Sequence, residues 1–140
     1  MSHRFLVVDD DPLVRRVARR MLGPLATQVD TAESVAQALE RLEASPVSLV
    51  LTDLRLPEAD GGDLLREVRR RYPGVPVLVM TSHGSIDVAV ELMKQGAADF
   101  ITKPLEANTL LPRIELALER VALTRRVAHL EQALEAARSA

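Results

Sequence analysis

A chain of 140 residues, 47% of them apolar, can enclose one substantial core and little more. Its net charge of -2 and its aromatic content of two Phe and one Tyr, without Trp, supply neither a basic surface nor stacking platforms for nucleic acid. Cysteine is absent, which excludes disulfides, thiolate catalysis and cysteine zinc sites.

The amino terminus, MSHRFLVVDDD, reaches three acidic residues within eleven and so does not resemble a signal peptide. No apolar run approaches the roughly 20 residues of a membrane span. A soluble, cytoplasmic chain is expected, with no membrane contact and no direct nucleic-acid binding by this segment.

The first apolar run, FLVV at 5–8, ends in Asp9, Asp10 and Asp11. A helical stretch follows, with Val14, Val17, Ala18, Met21 and Leu22 at steps of three and four, and Gly23-Pro24 closes it. TQVDTA at 27–32 is a second strand, polar enough to belong at a sheet edge. Val35, Ala38, Leu39 and Leu42 mark the second helix, and VSLVLT at 47–52 is a third strand that stops at Asp53. The third helix carries Leu64, Leu65 and Val68 and ends at Tyr72-Pro73-Gly74. VPVLVMT at 75–81 runs into Thr81 and Ser82. A fourth stripe, Val88, Ala89, Leu92 and Met93, stops at Gly96, and ADFIT at 98–102 leads into Lys103 and Pro104.

Strands alternating with helices five times over imply right-handed crossovers and a doubly wound parallel sheet. Runs one, three and four are apolar on both faces, as the interior of such a sheet requires. Ligands of open sheets of this class bind beyond the carboxyl ends of the strands. Those ends carry Asp9, Asp10 and Asp11, then Asp53, Thr81 and Lys103. Any one of these polar residues can simply mark where a strand leaves the core, but together they form a working chemical set. Carboxylates brought within about 4–6 Å raise each other's pKa unless a cation lies between them. Mg²⁺ suits one or two carboxylates plus phosphate oxygens, and Mn²⁺ could substitute. The chain has only two lysines, Lys94 and Lys103, and uses arginine elsewhere, so a compact point charge at 103 is informative. Metal, ammonium and hydroxyl together suit a phosphoryl group in transfer, with the Asp53 carboxylate as nucleophile.

VVDDDP, LVLTDLRLPEADG, VMTS and DFITKP, in this order and spacing, resemble the receiver domain of two-component response regulators over residues 4 to about 120. The resemblance implies a flavodoxin-like (βα)5 fold with strand order 2-1-3-4-5. It implies that Asp53 accepts a phosphoryl group from a sensor histidine kinase, and that Asp10, Asp53 and the backbone carbonyl of Arg55 ligate Mg²⁺, with Asp9 acting mainly through water. Thr81 would bond a phosphoryl oxygen and Lys103 would pair with the phosphate, with the Lys103-Pro104 bond cis. Phe100 matches the switch aromatic that turns inward when Thr81 moves, although a plain core Phe would look the same. Arg55 and His83 match positions that tune phosphate lifetime, or are ordinary loop residues. Ser82 stands where the family usually has Ala or Gly. The stretch TSHGSIDVAVELMKQGAADFITKPL (81–105) is similar to receivers of NtrC-type, sigma-54-dependent transcriptional activators.

From Glu106 to about Arg138 there is no Gly, and Pro112 is expected in the first helical turn. Leu110, Ile114, Ala117, Leu118 and Val121 should face the domain. Leu123, Val127, Leu130, Leu134 and Ala137 then alternate by four and three, a two-heptad seam with Leu116 one heptad earlier. Arg126 and Glu131 fall on g and e positions. The expected organisation is a receiver over 1–120 and a helical linker over 121–140 that forms a parallel homodimer, although isolated helices of this length are marginal. In the NtrC-type family such a helix leads to ATPase and DNA-binding domains. No Gly-rich phosphate loop or helix-turn-helix follows here, so transcriptional output would lie in a downstream domain outside these residues, or the regulator would act by docking. Two other readings compete with a phospho-switch that is not a stand-alone enzyme. One is an aspartyl-phosphate phosphatase of the haloacid dehalogenase type, with Asp9-x-Asp11 as its motif; the other is a degenerate receiver acting only as a dimerisation module.

Overall fold

The computed structural model describes residues 3–139. Five strands, β1 (Arg4–Val8), β2 (Gln28–Ala32), β3 (Leu49–Asp53), β4 (Val77–Thr81) and β5 (Asp99–Thr102), alternate with five helices. The helices are α1 (Pro12–Leu22), α2 (Val35–Ala44), α3 (Gly61–Arg71), α4 (Ile86–Lys94) and α5 (Ala107–Ser139). All strand pairs are parallel, in the order β2-β1-β3-β4-β5, so the expected topology is the observed one.

Period-two alternation on the strands makes two cores, one on each face of the sheet. Leu6, Val8, Val50, Val77 and Val79 point to the face covered by α2, α3 and α4. Phe5, Val7, Leu51, Leu78 and Met80 point to the face covered by α1 and α5. Burying each such side chain contributes about 1.5–3 kcal/mol.

The helices start where the sequence supplies caps. The Asp11 carboxylate accepts from the Leu13 N–H, with Pro12 at the first helical position. Ser34 caps α2 by accepting from Gln37, and Asp60 and Asp63 form a reciprocal capping box at α3. The β2 edge is as polar as expected. Two of its carbonyls accept hydrogen bonds from arginines: Val29 from Arg19 and Thr31 from Arg41.

Of the apolar stripe on α4, Ala89 and Leu92 are buried while Val88 and Met93 are exposed. One expectation needs correction. Pro112 is the sixth residue of α5, past the first turn, so the helix forgoes the bond its N–H would make to the Asn108 carbonyl. Both residues are exposed, and water can satisfy that carbonyl. The helix otherwise runs without a break across residue 121. No helix among the described residues is long and apolar enough to cross a membrane.

Candidate functional site: an acidic rim with one bridging lysine

Strand register levels the site residues. Val8 pairs with Thr52, so Asp9 and Asp53 leave neighbouring strands side by side, and Thr81 pairs with Thr102, just before Lys103. Lys103 spans the gap: its Nζ lies 2.8 Å from Asp9 and 3.2 Å from Asp53. Oxygens of Asp9, Asp10 and Asp53 all lie within 4.8 Å of one another. Asp9 is completely buried, and its carboxylate also accepts from the Asp11 N–H. Asp10 stands exposed on the rim and Asp53 is intermediate.

Electrostatics follow from this count of charges. Burial, and then the Asp9 charge, push the Asp53 carboxyl above its ordinary value, against the pull of Lys103 and the Arg55 N–H. Burial works against the Lys103 ammonium, but the Asp9 hydrogen bond and both carboxylate charges outweigh it and hold its pKa up. Three carboxylates face one ammonium, so two negative charges go uncompensated. All the donors are hard oxygens. That set fits a divalent cation of the Mg²⁺ kind.

Tight backbone packing fixes the acceptor strand. The loop after Asp53 returns at Gly61, whose N–H donates to Leu54, and a Cβ on Gly61 would run into the Asp53 carbonyl oxygen. Glu58 in the same loop has φ 67, the left-handed region that non-glycine residues seldom occupy. The Lys103-Pro104 bond is cis and the Lys103 N–H donates to the Thr81 carbonyl.

The remaining candidates are distributed unevenly. Thr81 is buried at the end of β4, and its hydroxyl donates to the Ser82 carbonyl at 3.1 Å. Phe100 pairs in register with Val79, below the rim, and packs half-buried against the core under α2–α4. Arg55 is exposed; its N–H meets Asp53, while its guanidinium reaches Ser85 in the short 3-10 turn His83–Ser85. His83 is exposed on that turn. Asp11 is drawn into capping α1, which removes the second carboxylate of the Asp9-x-Asp11 reading. Sequence reasoning missed Arg15, which donates to the Asp9 carbonyl at 2.7 Å, as well as buried Ser85 and Gly61. Only Gly61 left a signal, a glycine closing the loop that follows the strand's terminal acid.

Comparison with known proteins agrees with this geometry. The response regulator receiver domain family matches residues 5–115. The response regulator protein PilR of Pseudomonas aeruginosa is 39% identical over 113 residues, covering 81% of this chain and 25% of that protein. The DNA-binding transcriptional regulator NtrC of Escherichia coli is 37% identical over 112 residues, covering 80% of this chain and 24% of its own length. This chain thus spans about a quarter of the length of these curated relatives. The crystal structure of NtrX from Brucella abortus superposes with a TM-score of 0.87 at 35% identity, over 93% of this chain and 30% of that one. Fold, rim chemistry and sequence likeness converge, and the chain belongs to the response regulator receiver domain family.

Proposed function

We propose that the chain is a phosphorylation-controlled switch in which Asp53 accepts a phosphoryl group from a sensor histidine kinase. The observation that carries this reading is the Lys103 ammonium held between Asp9 and Asp53 at a rim with an excess of carboxylate. An Asp53 oxygen attacks phosphorus, and the phosphorus–nitrogen bond of a phosphohistidine breaks. The electron pair stays on the imidazole nitrogen, and an acyl phosphate forms on Asp53. Lys103, already within 3.2 Å of the acceptor, stabilises charge on the transferring group.

Asp9, Asp10, Asp53 and the Arg55 carbonyl would hold Mg²⁺, with Mn²⁺ as a substitute. Bound there, the metal supplies charge neutralisation for the carboxylates and the phosphoryl oxygens. Thr81 exchanges its Ser82 carbonyl partner for a phosphoryl oxygen, and Phe100 follows inward, altering the face made by α4, β5 and α5. Arg55 and His83, on the two loops above the acceptor, set how long the phosphate lasts.

The linker expected over 121–140, of which residue 140 lies outside the described residues, acts through the distal part of α5 and forms a parallel homodimer through Leu123, Val127, Leu130 and Leu134. The switch acts in the cytoplasm, and relatives named as transcriptional regulators support an output in transcription through a domain beyond these residues. Intact mass after incubation with acetyl phosphate and Mg²⁺ tests the acceptor. A phosphoryl adduct is expected on the wild type and none on Asp53→Asn. An adduct that survives Asp53→Asn and disappears in Asp9→Asn would overturn the assignment.

A further inference from the structure

At the end of the sheet opposite Asp53, where the strands begin, a cleft of about 420 Å³ opens between the carboxyl end of α3, the turn from α4 to β5, and α5. Its floor is aliphatic, with Val75, Ala97, Ala117 and Val121 among its lining, and no aromatic side chain takes part. Three arginines, Arg69, Arg120 and Arg125, stand around it.

Two of the three are seated against glycines. A Cβ on Gly96 would come within 2.7 Å of the Arg69 Nε, and Gly96 already has φ 108, a conformation that favours glycine. Arg69 also donates to the Pro73 carbonyl at 3.5 Å. On the other wall, a Cβ at Gly74 would sit 3.8 Å from an Arg125 guanidinium nitrogen. Among the described residues none of the three arginines has a carboxylate within ion-pair distance, although their α3 neighbours Arg66, Arg70 and Arg71 do. The cleft therefore presents guanidinium groups without carboxylate partners around an apolar floor.

We infer that this cleft binds an acidic polypeptide segment that carries aliphatic side chains. Carboxylates of such a segment complement the three guanidiniums, which suit planar bidentate partners. Its aliphatic side chains fill a floor that a simple inorganic anion would leave wet. A single-stranded nucleic acid would find no aromatic platform for its bases in this cleft. Space is ample for more than a single ion, and the lining extends to Thr124 and Arg125 on the part of α5 that leaves the domain, so an extended chain can follow the helix. A segment seated there touches the α4–β5 turn and α5 together. The site is independent of the chemistry at Asp53.

The test uses the whole chain labelled with ¹⁵N and the acetylated, amidated peptide ELEELE as probe, with hexaglutamate and a short oligothymidylate as comparisons. Amide shifts from ELEELE should cluster at Gly74, Gly96, Ala97 and Ala117. Reversing charge at two rim positions, Arg120→Glu with Arg125→Glu, should weaken binding at least about tenfold. The matched reversal Arg16→Glu with Arg20→Glu, on exposed α1 positions outside the cleft, should leave binding unchanged. Shifts gathered on Leu123–Leu134 instead, or no shifts at millimolar peptide, would overturn the proposal. So would hexaglutamate binding as tightly as ELEELE, which would make the cleft a plain charge patch, or oligothymidylate binding more tightly, which would make it a nucleic-acid site.

Discussion

The acidic rim and the distal half of α5 solve opposite problems. At the rim, charged groups are brought together from three parts of the chain, and Lys103 bridges two of the carboxylates, Asp9 and Asp53, across 94 and 50 positions of sequence. Along the distal helix the groups are apolar, and their neighbours lie within the next turn. Leu123, Val127, Leu130 and Leu134 are 52–57% exposed, whereas Leu110 and Ile114, earlier on the same helix, are completely buried. The seam and the domain-facing stripe lie on opposite sides of α5, as 100° per residue requires of these positions. A helix can therefore carry two apolar messages, and only one is answered inside this fold.

The largest effect that sharpens this contrast is Ile114→Ala. Loss of a fully buried side chain under the sheet should cost about 2–5 kcal/mol in urea unfolding. A loss below 1 kcal/mol would mean that α5 is held far less firmly than its burial indicates. Next comes the divalent cation. At a hundredfold excess over its dissociation constant, Mg²⁺ should stabilise the rim by about 2.7 kcal/mol, and EDTA should reverse the gain. An unchanged melting temperature would break the reading of the three carboxylates as a metal site.

The metal-free protein also makes a pH prediction. The Asp53 pKa is raised in the folded state, so the folded protein keeps that proton after the unfolded chain has lost it. Stability should therefore fall as pH rises from the ordinary value of 3.8 through the higher folded value. Asp53→Asn should remove this dependence and melt higher than wild type at neutral pH without metal; a lower melting temperature would count against it. The smallest effect belongs to the distal helix. Leu130→Ala should change monomer unfolding by less than about 0.5 kcal/mol, since the side chain is already mostly in water. The same variant should weaken self-association in sedimentation, and a dimer of unchanged affinity would remove the seam from the proposed interface.

Much of this was legible beforehand because the patterns are local. Periodicities of two and of three to four placed every strand and α-helix. Spacing alone does not set burial: Val88 and Met93 belong to the α4 stripe and stay exposed, because a stripe cannot tell how wide a surface it will meet. Arg15, Ser85 and the seating of Arg69 over Gly96 left little trace, since each is a contact between one element and its neighbour that no periodicity encodes. Gly61 is intermediate: the glycine is visible, but the carbonyl it must clear is not.

By itself the sequence determined the alternation of strands and helices, the parallel sheet, and the presence of acid, hydroxyl and amine at the strand ends. These follow from side-chain spacing, which the chain carries residue by residue. Tertiary structure decided which acid is buried against Lys103, which is left on the rim and which caps a helix, and which apolar stripe of α5 is covered. Those outcomes depend on strand register and on the packing of elements distant in sequence, and burial, charge and desolvation take their values only once these neighbours are in place.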